Sequence, residues 1–119
     1  MKQPVYTESL NHDALVLSDW RVDENGVLLT GTNYAKGTVL GKITSSGKYT
    51  ISLTAAADGS QVPSAILLED VDATDSDLNG PILLGGKVDK DLLVFGASHT
   101  ADSTESGLRD QNIYLATKG

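Results

Sequence analysis

Residues 37–72, GTVLGKITSSGKYTISLTAAADGSQVPSAILLEDVD, constrain the fold more than any other part of this chain. Residues 38–43 are apolar and rich in β-branched side chains, and Ser45, Ser46 and Gly47 then supply turn chemistry. Residues 48–53 alternate: Tyr49, Ile51 and Leu53 fall on one face, and Lys48, Thr50 and Ser52 on the other. Asp58-Gly59 marks a second turn, and Pro63 precedes the buried-looking run Ala65-Ile66-Leu67-Leu68. A hairpin, a loop and a further strand follow, so the expected class is a small, mainly β domain.

The rest of the chain repeats this rhythm. Asp23-Glu24-Asn25-Gly26 reads as a polar hairpin turn before a short strand over residues 27–30. Residues 82–88 read as a strand bent or bulged at Gly85-Gly86. Residues 88–92 look like a hairpin tip, and Leu92-Leu93-Val94-Phe95 like a buried strand closed by Gly96. Asp102 with Glu105 forms a plausible capping box for one short helix through Gln111. Asn112 suits a left-handed stop, and Ile113-Tyr114-Leu115-Ala116 returns to the core as a last strand.

Length and composition set outer limits. A chain of 119 residues is one domain, large enough to bury roughly two-thirds of its unfolded surface without staples. It has no cysteine, which excludes disulfides and thiolate metal sites. Sixteen acids against nine scattered bases give a net charge of −7, the wrong balance for a phosphate-backbone binder, so no nucleic-acid partner is expected. No apolar run approaches the roughly 18 residues of a membrane span, and Met1-Lys2 leads into polar sequence rather than a signal peptide. With one Phe and one Trp, the core must come from Leu, Val, Ile and Ala.

Residues with chemical potential were weighed against plainer roles. Asp75, Asp77, Asn79 and Gly80 occupy positions 1, 3, 5 and 6 of a calcium-loop pattern. The twelfth position, however, is Gly86 instead of a bidentate Glu, and Pro81 follows the glycine. A solvated acidic turn explains the same residues, so no metal site is expected. Lys90 on its tip lacks the flanking pattern of a lipoyl carrier. Ser98, His99 and Asp102 hold triad residue types without a nucleophile elbow. No phosphate loop is present, and neither catalysis nor a cofactor is expected.

The ordered series G-T-V-L-G-K-I-T-x-S-G-K-Y, A-A-x-D-G-S-Q-x-P-x-A-I-L-L-E-D-V-D, G-G-x-V from Gly85 and L-R-x-Q-x-I-Y-L from Leu108 resembles the head decoration proteins of tailed bacteriophages. The family includes the capsid decoration protein of phage lambda. The resemblance implies a β-clip-like bent ribbon or incomplete barrel, with one short C-terminal helix and an N-terminal arm. It also implies a non-enzymatic virion protein, made in the host bacterial cytoplasm, that binds the major capsid protein on the outer surface of an expanded head. The expected form there is a homotrimer at threefold and quasi-threefold sites, stabilising the head.

Residues 1–20 are expected to be the arm, ordering on a partner, and residues 21–119 the decoration-type domain. From composition, Val5, Tyr6, Leu15, Val16, Leu17 and Trp20 are the expected capsid contacts. The alternative function is a calcium-binding β module of a surface or adhesion assembly, resting on Asp75, Asp77 and Asn79.

Overall fold

A computed structural model describes residues 15–96 and 99–116, excepting the side chains at 101, 102 and 106. The chain forms a mainly β single domain with one short helix near its C-terminus, as expected from the sequence. The strands are β1 (Val22–Leu28), β2 (Thr32–Tyr34), β3 (Val39–Lys42), β4 (Tyr49–Ile51), β5 (Pro63–Leu67), β6 (Val71–Ala73), β7 (Leu78–Asp89) and β8 (Ile113–Ala116). A 3-10 turn, Lys90–Leu92, and the helix α1 (Ala101–Asp110) lie between β7 and β8.

Five strands close a mixed barrel in the order β1-β4-β3-β5-β7, with β7 returning to β1. β8 extends β7 in parallel outside the ring, and β2 pairs with β6 as a separate ribbon. Closure is uneven. The β1–β7 ladder runs the whole length of β1, whereas β1 meets β4 through the single register pair Leu28–Tyr49. The seam is reinforced by side chains. Tyr34 Oη donates to Leu29 O (2.7 Å) and lies 3.3 Å from Thr50 Oγ1.

β3, β5 and β7 are apolar on both faces because both are covered. Leu40, Leu67 and Ile82 point into the barrel with Leu28, Tyr34, Val71 and Ala73. Val39, Ile66 and Leu83, one residue away, join an outer core with Leu15, Val88, Leu108 and Ile113. Period-2 geometry thus converts continuous apolar runs into two cores.

Four local expectations are corrected. Asn25-Gly26 is not a turn but lies inside β1, opposite Pro81 and Gly80. Gly26 is required there for closeness: a Cβ would sit 2.8 Å from Ile82 Cδ1 and 2.9 Å from Tyr49 Cδ2. Leu53 does not share the inward face. The strand ends at Ile51, Ser52 is buried, and Leu53 is exposed beside Gly96. Residues 92–95 form no buried strand. They touch β3 through one isolated bridge, Thr38–Val94, with Leu92 and Val94 exposed. The helix begins at Thr100 rather than Asp102: Thr100 Oγ1 accepts from Ser103 N (3.1 Å), and Ser103 Oγ accepts from Thr100 N (2.8 Å). Asn112 does adopt the left-handed stop, with φ +67°.

Candidate functional site

Both described ends of the chain meet on the far half of β7. The strand bends at Gly85-Gly86, where Gly86 has φ +143° and the register to β1 shifts beside Val22. Beyond the bend β8 covers one edge, pairing Gly86 with Ile113 through Asp89 with Ala116. Residues 15–18 lie antiparallel on the other edge. Leu17 N donates to Lys87 O (2.7 Å), Asp89 N to Leu15 O (2.8 Å), and Lys87 N to Ser18 Oγ (3.0 Å). Leu15 is buried in the outer core, so this segment is tied down before the chain reaches the barrel.

Next to this three-stranded patch lies an exposed aromatic surface. Trp20 and Tyr114 meet edge-on with ring centroids 6.1 Å apart at 69°. Val22 lies beside them. Gly85 leaves room underneath, for a Cβ there would be 3.3 Å from Val22 Cγ2 and 3.5 Å from Trp20 Cζ3. Trp20, at 51% exposure, and Val22, at 50%, are the most exposed large apolar side chains described. Charged residues interleave with them: Asp19 precedes Trp20, and Arg21 holds Asp23 at 2.9 Å. An aromatic pair with a charged rim has the composition of a binding anchor.

The expected contact residues divide accordingly. Val5 and Tyr6 lie outside the described residues. Leu15 is buried, Val16 bridges to Val88 and Leu17 is half-buried, while Trp20 projects outward. Sequence reasoning missed Val22 and Tyr114. Tyr114 was legible in principle, because alternation from the buried Ile113 turns it to the opposite face.

The calcium pattern does not assemble. Asp77 Oδ2 receives Lys48 Nζ at 2.6 Å, and its Oδ1 receives Thr30 N at 2.7 Å. Those donors, Lys48 first, hold its carboxyl below the usual carboxylate range. Asn79 sits within β7 opposite Val27, and Asp75 lies on an exposed turn. Among the described residues no three acids or histidines converge.

The catalytic candidates are likewise placed in structural settings. Lys90 opens the 3-10 turn and is exposed; Ser98 lies outside the described residues. His99 is a staple, its Nε2 lying 3.2 Å from Ser52 Oγ and its Nδ1 3.2 Å from Ser103 Oγ. It links the end of β4 to the first turn of α1.

Compared with models of protein families, residues 5–113 match the family described as Bacteriophage lambda head decoration protein D. Compared one by one with curated proteins, the chain has no match. The family match takes in the barrel, the far half of β7 and Trp20.

Proposed function

The chain belongs to the bacteriophage lambda head decoration protein D family, and on that premise we propose that it cements an expanded phage head as homotrimers at threefold and quasi-threefold sites. Membership makes it a structural, non-enzymatic protein of the virion capsid surface, and its partner the capsid. The proposed attachment to the major capsid protein runs through the arm, residues 1–20, with Leu15 seating the arm on the domain and Trp20 reaching the shell.

The observation that supports this route is the exposed Trp20–Tyr114 pair beside the point where residues 15–18 leave β7. Large, rigid aromatic side chains give contact area at low entropic cost. Three copies joined together multiply weak contacts through high effective concentration. Stabilisation of the head requires tighter binding to the expanded lattice than to the immature one, since equal affinity shifts no equilibrium.

The test is co-sedimentation of the purified protein with expanded and with unexpanded heads of the matching phage. Saturable binding to expanded heads alone is expected. Removal of residues 1–14 keeps Leu15 in the outer core and is expected to abolish binding with the domain still folded. Trp20→Ala is expected to weaken binding about tenfold or more. Full-strength binding by the truncation overturns the arm, and equal binding to both shells overturns selectivity for the expanded lattice.

A further inference from the structure

Three stretches of this acidic chain carry no charged residue: 37–41, 49–57 and 92–96. They are far apart in sequence, and the fold brings them into backbone contact. Val94 N donates to Gly37 O and Val39 N to Val94 O, both at 2.9 Å. Ser52 N donates to Val39 O at 3.0 Å. Two glycines permit the approach. A Cβ on Gly96 would collide with the Ser52 carbonyl, and one on Gly37, at φ +91°, with the Leu92 carbonyl. The staple from His99 to Ser52 and Ser103 ties the end of α1 to the same place. Here Leu53 and Leu92 are each 37% exposed and Val94 40%, with Ala55 and Ala57 exposed on the turn after Leu53.

We propose that this charge-free face is the surface through which one copy of the chain binds a second copy. Electrostatics selects that occupant. A partner of opposite charge would be met by some of the sixteen acids, and none is in these three stretches. Two copies each carrying −7 repel one another, so they can join only where acids are absent and apolar area is available. The Trp20–Val22 surface differs on this point, being interrupted by Asp19, Arg21 and Asp23. The two surfaces share no residue. The assignment rests on the reading above in one respect, that copies meet one another on the head.

Sedimentation velocity of the full chain over a concentration series, at low and at moderate salt, tests it. The wild type is expected to self-associate reversibly, and more strongly as salt screens the repulsion between copies. Val94→Asp is expected to raise the dissociation constant at least about tenfold, because each new contact then buries a charge against a neutral partner. Leu53→Ser repeats the test without a new charge, should circular dichroism show Val94→Asp to be unfolded. Trp20→Ala is expected to leave self-association unchanged. A wild type that stays monomeric up to millimolar concentration overturns the proposal, as does undiminished association of the folded variants. Head co-sedimentation separates the two readings: binding without self-association removes this face alone, and self-association without head binding removes the capsid route alone.

Discussion

The two cores of this molecule are built from adjacent residues and closed by different means. Leu40, Leu67 and Ile82 fill the barrel, and their neighbours Val39, Ile66 and Leu83 face outward. The inner core draws only on residues between Leu28 and Ile82, so the ring can bury it unaided. The outer core is completed by Leu15 from one end of the chain and by Leu108 and Ile113 from the other. Between the barrel wall and α1 the helix contributes a single buried apolar side chain, Leu108, from a sequence that is otherwise polar. The segments that carry function are therefore those with the thinnest hold on the domain. Local openings concentrate where apolar contacts are few.

The largest expected effect lies in the inner core. Leu67→Ala is expected to cost about 3–5 kcal/mol, because a cavity opens in a ring with little freedom to collapse. Denaturant melting should show a lower midpoint, and hydrogen exchange should quicken throughout the barrel. Leu108→Ala is expected to cost about 2–3 kcal/mol, with accelerated exchange confined mainly to α1 and β8. Equal acceleration of β3 and β5 amides in that variant would break the distinction and make the two cores one cooperative unit.

The sequence disclosed this arrangement unevenly, for reasons that particular residues explain. Strands covered on both faces announce themselves as unbroken apolar runs, and Ala65-Ile66-Leu67 and Ile82-Leu83 were legible on that ground. β1 was not. Asn25-Gly26 carries the strongest short hairpin signal, yet Gly26 is there to let Ile82 and Tyr49 close over the strand. Residues 92–95 have strand composition, but the edge of β3 offers them one bridge, and their exposure reflects a surface rather than a core. Thr100 outcompeted Asp102 as the cap because Ser103 stands three residues after it and can reciprocate. At the functional surface, composition singled out Trp20. Its partner Tyr114 needed the parallel pairing of β8 on β7, a contact between distant stretches that no local pattern encodes. The convergence of the three charge-free stretches is of the same kind.

A smaller effect sharpens the weak side of the comparison. Thr100→Ala removes the acceptor for Ser103 N at the start of α1, and about 1 kcal/mol of stability is expected to go with it. Because the capped turn also carries Ser103, one end of the His99 staple, the loss should reach beyond the helix. Exchange at Ser52 N, across the staple, is the measurement. If it is unchanged while the first turn of α1 frays, the staple does not couple the helix to β4.

The smallest effect at neutral pH concerns the seam where the barrel closes. Asp77 spans it, taking Thr30 N from the chain after β1 and Lys48 Nζ from the residue before β4. Both donors favour the ionised carboxylate, so its folded pKa lies below the ordinary 3.8. A depressed folded value means that the clamp contributes fully above the ordinary value and is lost as pH falls through the depressed one. Asp77→Asn keeps an acceptor for Thr30 but removes the charge. The wild type is therefore expected to exceed the variant in urea midpoint at pH 7, and the gap to shrink as pH drops below the ordinary carboxylate value. Asp58 and Asp72 are also held low, by hydrogen bonds within their own turns to Ser60 and Thr74, and these act equally in both proteins and cancel in the difference. A gap that persists once the carboxyl is protonated would assign Asp77 a role of shape rather than charge. A gap that closes, with Thr30 N exchanging faster in acid, would identify the single-pair seam as the place where the otherwise self-contained inner core first opens.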